Sequence, residues 1–177
     1  MNNTHKRGLI IFATVSVLWV AVIFSFSLRS GTVSHHESGF VEHLLSAAAH
    51  RLNISVDHRL FSIFTPFVER PPVTSEAFIR KSAHLTEYFI LGLICVQAFW
   101  LLKRRRHRFA PLPLLLGPVV SIFDERIIQL FLVSGRTSSY RDVTLDSIGF
   151  YSAVLLSIAA VRLFARLRKN RQPNETL

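Results

Sequence analysis

An all-α integral membrane bundle is the fold class this sequence predicts: four transmembrane helices, with an extracytoplasmic helical loop between the first and the second. Three observations lead there. Half of the residues are hydrophobic and only 18% are charged, at a mean hydropathy of +0.35. The apolar residues gather in four long runs, and the basic residues crowd into alternate connections between them. This composition excludes a disordered chain, which needs low hydrophobicity. A formal net charge of +10 suggests nucleic acid at first sight. Soluble nucleic-acid binders do not carry apolar runs of membrane length, however, so the expected partner is the lipid bilayer and no nucleic acid.

The first run, Gly8 to Leu28, has no charge, and at about 1.5 Å per residue it covers the ~30 Å hydrocarbon core. Its length exceeds that of a secretory h-region and it lacks a small-residue cleavage site, so it reads as an uncleaved helix. Leu85 to Leu102 follows with Glu87 as its only carboxylate, then Phe109 to Val133, interrupted only by Asp124, Glu125 and Arg126. Val143 to Val161 contains only Asp146. The whole chain, 1–177, is one membrane domain with spans at about 8–28, 82–102, 110–133 and 143–163, an outer loop at 29–81 and a basic tail at 164–177. Cys95, the only cysteine, lies in span two and allows no intrachain disulfide.

The outer loop has its own pattern. Phe40, Val41, Leu44, Leu45, Ala48 and Leu52 recur at helical spacing and predict an interfacial amphipathic helix. A second apolar stretch, Leu60 to Val68, stops at Pro71-Pro72; Thr74 or Ser75 then caps a helix expected to run unbroken through span two.

Lys6 and Arg7 precede span one, Lys103 to Arg108 carries five basic residues after span two, and Arg166, Arg168, Lys169 and Arg171 follow span four. The positive-inside rule places these regions, and both termini, in the cytoplasm. The two remaining connections are nearly neutral and face outward.

Chemistry, if any, belongs to the polar residues inside the spans, because a charge in hydrocarbon costs at least ~2.5–3.5 kcal/mol on insertion scales. With this topology they share a depth. Lys81, His84 and Glu87 lie near the outer end of span two, and Glu125 and Gln129 lie ~12 and ~6 Å below Val133. Asp142 stands at the outer surface and Asp146 one turn deeper. Spacings of three and four make one stripe of Lys81, His84 and Tyr88, another of Asp142, Asp146 and Gly149, and a third of Glu125 and Gln129. Gly149 would let a neighbouring helix approach closely. Arg136, in the turn before span four, is near enough in sequence to reach over the group.

These residues resemble a known family. Arg80-Lys81-Ser82-Ala83-His84, Glu87-Tyr88-Phe89 and Leu91-Gly92 are similar to the RKxAHxxEYxxLG segment of VanZ-like membrane proteins. Asp124-Glu125, Gln129, Arg136, Asp142 and Gly149 resemble that family's DExxQ…R…D…G segment, and Trp19, Ile23 to Ser25, Ser27 and Ser30-Gly31 resemble the end of its first helix. The resemblance covers about residues 19 to 155; the chain departs from it at Asp146, where the family usually has Asn. It implies a small multi-helix protein of the bacterial cytoplasmic (inner) membrane, in a family whose founding member is associated with resistance to teicoplanin.

Two functions of different class follow. In the first, an intramembrane enzyme acts on an envelope lipid or lipid-linked headgroup, with His84, Glu87, Asp124, Glu125, Asp142 and Asp146 as the catalytic set and His84 or Glu125 as general acid or base. Lys81, Gln129 and Arg136 would bind the substrate, the guanidinium being suited to bidentate contact with phosphate or carboxylate. In the second, a non-catalytic binding or accessory protein uses the same residues as a structural lock. A divalent metal on His84 and the carboxylates is the lesser alternative: no tight ligand motif such as HExxH is present, so none is expected, and nothing in the sequence names a cofactor. Ser25 and Ser27 have no base near them in sequence and are expected to satisfy backbone or pack a helix interface.

Overall fold

The computed structural model describes residues 3–28, 39, 40, 43, 47, 51, 58–68, 73–103, 109–132 and 139–170. The described residues form helices and turns, with no strand among them. Helix α1 spans Asn3–Ser27, a 3-10 helix follows at His58–Phe67, and α2 spans Ser75–Lys103. Next come a short 3-10 turn at Leu112–Leu115, α3 at Leu116–Phe123, a π-helical segment at Asp124–Leu132, and α4 at Tyr140–Asn170.

Three helical stretches, Arg7–Ser27, Ser75–Lys103 and Tyr140–Arg168, are long and apolar enough to cross a membrane. The third expected span is helical but segmented. Pro111, Pro113 and Pro118 remove backbone donors along its first half, so the chain starts with a turn and a 3-10 helix before α3 forms. None of its pieces is itself of spanning length. By contrast α2 runs without a break from Ser75 through span two, as expected. Thr74 caps it: its Oγ1 accepts from the backbone N–H of Ala77 at 3.2 Å.

The core lies between α1, α2, α3 and α4, where Ile23, Tyr88, Leu91, Cys95, Val96, Val120, Phe150 and Val154 pack together. The tightest approach is between α2 and α4. A Cβ on Gly149 would stand 2.5 Å from the carbonyl oxygen of Leu85, and one on Gly92 would overlap the carbonyl oxygen of Phe150 and sit 2.9 Å from Ala153 Cβ. Only glycine permits this contact of backbones, which is the role the sequence assigned to Gly149. Helix α1 is fastened more lightly, through the Trp19 indole N–H donating to the Glu87 carbonyl at 2.9 Å and through Ser27.

The outer faces are apolar. Val17, Leu18, Leu155, Leu156 and Phe164 are all more than half exposed, a pattern water would penalise and hydrocarbon would not. The 3-10 helix packs on α2 and α4, with Phe64 edge-on to Phe78 (5.4 Å, 74°) and the Val68 carbonyl accepting from Arg141. The expected amphipathic helix around Phe40 to Leu52 lies mostly outside the described residues; Gly39, Phe40, His43, Ala47 and Arg51 are helical and exposed. Helix α4 continues beyond the expected end of span four, to Asn170.

A candidate polar site at one end of the bundle

Four elements bring polar side chains to the same end of the molecule: the last turn of α1, the first turns of α2, the π segment and the first turns of α4. Ser27 closes α1 and donates to Asp124 Oδ2 at 2.7 Å, both side chains being buried. Ser25 donates to the Val22 carbonyl, the backbone role expected of it, whereas Ser27 has a carboxylate beside it that its sequence neighbours did not reveal.

The π segment sets the orientation of the next three groups. In an α-helix, a residue five positions on lies about 140° round the axis, whereas the i→i+5 closure of a π-helix stacks it close to the first. Gln129 Nε2 accordingly reaches both Asp124 Oδ2 at 3.1 Å and Glu125 Oε1 at 2.6 Å. Asp124, Glu125, Ile128 and Gln129 all face inward. The backbone N–H of Ser139, just before α4, donates to Glu125 Oε2 at 3.3 Å.

Across from them, Asp146 on α4 is fully buried and accepts from Ser121 at Oδ2, 2.7 Å away. His84 on α2 places Nδ1 3.3 Å from Asp146 Oδ1. The angles do not make a hydrogen bond, and both atoms remain without one. Asp124 Oδ1 and the Tyr88 hydroxyl are likewise buried without a hydrogen-bond partner. His84, Glu125 and Asp146 each offer a ligand atom within 4.8 Å of the other two.

At the rim, Lys81 pairs with Asp142, with side chains 11% and 18% exposed. The ammonium group expected to hold a substrate thus already has a carboxylate partner. Glu87 is half-buried and stands outside the His84–Glu125–Asp146 triad. Arg136 lies outside the described residues, as does the basic run 104–108. The structure therefore gathers the buried Asp124, Glu125, Gln129 and Asp146 with the part-buried His84 into one group, and pairs Lys81 with Asp142 beside it.

Sequence reasoning missed Ser121 as a partner of Asp146 and the π segment itself. The available signal was the Asp-Glu pair with a glutamine four and five residues on, the spacing a wide helix turns to one face.

Comparison with curated proteins and with solved structures finds no match to the chain. The model of the VanZ/LLP1 family does match, over residues 12–163, a stretch that takes in α1 from Phe12, the residues of the polar site and α4 as far as Leu163. With most of its length inside that match, this apolar helical bundle belongs to the VanZ/LLP1 family.

Proposed function

We propose that the chain is a multi-pass protein of the bacterial cytoplasmic membrane, with both termini in the cytoplasm and its polar group in the outer half of the bilayer. There it engages the headgroup of an envelope lipid or lipid-linked intermediate. His84 and Glu125 would serve as acid and base, Asp124, Asp146 and Gln129 would shape the cavity between them, and Lys81 with Asp142 would form its rim. The association of the family's founding member with teicoplanin resistance agrees with a role in the cell envelope.

One observation carries this reading over a structural lock. A lock gains nothing from members left unpaired, and a buried acceptor without a donor costs roughly 1–3 kcal/mol. Asp124 Oδ1, Asp146 Oδ1, His84 Nδ1 and the Tyr88 hydroxyl are all buried without a hydrogen bond. Four such groups on facing elements are what a site leaves for a ligand.

The test is mass-spectrometric profiling of envelope lipids in cells lacking the protein, complemented with wild type or Glu125→Gln at equal membrane levels. A lipid species that changes with wild type and not with the variant supports action on that species. An unchanged profile, accompanied by a drug-susceptibility difference that depends on Glu125, supports binding of a partner in place of catalysis.

A further inference from the structure

We infer that His84, Glu125 and Asp146 bind a divalent transition-metal cation of the zinc or manganese kind, with at least one coordination position left open. The inference stands on these three side chains and does not require the ligand to be a lipid.

The first argument is geometric. One imidazole nitrogen and two carboxylate oxygens, from three different elements, approach within 4.8 Å of one another. Ligands about 2.1 Å from a tetrahedral ion stand about 3.4 Å apart, and an octahedral ion accepts pairs up to about 4.2 Å apart. His84 Nδ1 and Asp146 Oδ1, at 3.3 Å, already have the shorter spacing. Glu125 offers an oxygen within 4.8 Å of both.

The second argument comes from atoms left unpaired. The Asp146 side chain is 0% exposed, its Oδ2 is engaged by Ser121, and its Oδ1, directed at His84, has no hydrogen-bond partner. His84 Nδ1 likewise has no hydrogen bond of its own and stands 3.3 Å from Asp146 Oδ1, an ion pair when the imidazole is protonated. A dication can take the place of that proton between the two atoms. Ser121 on Asp146, and Gln129 and the Ser139 N–H on Glu125, hold the carboxylates from behind, as outer-shell donors do around metal ligands.

The third argument is charge. Asp124, Glu125 and Asp146 are all fully buried. Of the cationic side chains at this end, Lys81 is paired with Asp142, Arg141 with the Val68 carbonyl, and Arg126 lies over the Tyr140 ring at 3.6 Å, which leaves the His84 imidazole beside Asp146 as a single charge against three carboxylates. A dication between Glu125 and Asp146 neutralises the deepest of this negative charge, in an environment where uncompensated ions are costly. An imidazole with two carboxylates is a donor set suited to Zn²⁺ or Mn²⁺. A water or a phosphate oxygen of the proposed headgroup would take the open position.

The experiment uses the full chain purified in detergent, stripped with chelator and titrated with Co²⁺, Zn²⁺ and Mn²⁺. We expect one equivalent of metal per chain and, with Co²⁺, visible absorption bands of a low-symmetry site. Zn²⁺ should displace the Co²⁺ bands. Asp146→Asn, His84→Gln and Glu125→Gln should each weaken Co²⁺ affinity by about tenfold or more, while Arg126→Ala leaves it unchanged. The wild-type spectrum decides even if a variant fails to fold. Absence of Co²⁺ bands in monodisperse wild-type protein overturns the inference, and so does binding that persists undiminished in all three variants. Metal binding together with an unchanged lipid profile would retain the cation site and reject the lipid substrate.

Discussion

Asp124 shows how closely the buried polar group is balanced. Its Oδ2 takes two donors, Ser27 and Gln129, from different elements, while its Oδ1 takes none. Ser27→Ala removes the shorter of the two hydrogen bonds and also loosens the polar tie between α1 and the π segment. The expected cost is about 1–3 kcal/mol, read as a lowered melting temperature in detergent; an unchanged melt would mean that Asp124 finds a replacement donor. At this scale the sequence was informative about identity and less so about partners. His84, Asp124, Glu125, Gln129 and Asp146 stand out because polar side chains are costly in apolar runs. That Lys81 is taken up by Asp142 was not readable, because it depends on how deep α2 and α4 sit relative to each other, and spacing within either helix does not fix that. Ser121 escaped notice for a different reason: a serine is ordinary in a membrane helix and becomes significant only through the carboxylate it faces.

Helices α2 and α4 carry His84 and Asp146, and the distance between these residues is set by two glycines on the same contact. Adding a methyl at Gly149 pushes against the Leu85 carbonyl, and at Gly92 against Phe150 and Ala153. Because these obstacles are backbone atoms and a neighbouring Cβ, they cannot swing aside. Gly92→Ala and Gly149→Ala should each destabilise the protein by about 1–3 kcal/mol and lower Co²⁺ affinity without touching a ligand. Retained stability and affinity in both variants would show that the helices stand farther apart. The elements themselves were largely legible: the Thr74 cap, the unbroken α2 and the glycine approach all follow from local pattern. The third stretch was not. Its apolar content predicts one span, but three prolines and the widened π turn divide it, and backbone hydrogen-bond register is invisible to a count of hydrophobic residues.

As a whole, the molecule presents apolar outer faces along α1 and α4 and concentrates its buried charge at one end. The 3-10 helix at His58–Phe67 packs on α2 and α4, with Phe64 against Phe78 near the start of α2. In the topology proposed above, the basic residues that follow α2 in sequence face the cytoplasm and the polar end faces outward. A reporter joined after Arg105 should register the cytoplasm, and one inserted near His50 the outside. The reverse pattern would move the site to the inner leaflet and remove the argument for an envelope substrate.

Asp146→Asn separates a binding site from a structural lock. The amide keeps the shape and can still accept from Ser121 while turning its NH₂ toward His84 Nδ1, so the substitution removes charge and little else. Melting temperatures of wild type and variant are compared in detergent with chelator present, so that bound metal contributes nothing. A site holding unneutralised charge predicts that Asp146→Asn melts at the same temperature as wild type or higher, because function and stability oppose each other at such positions. A fall corresponding to the roughly 3–5 kcal/mol lost when a buried ion pair is broken would contradict the account and make the His84–Asp146 pair a structural one.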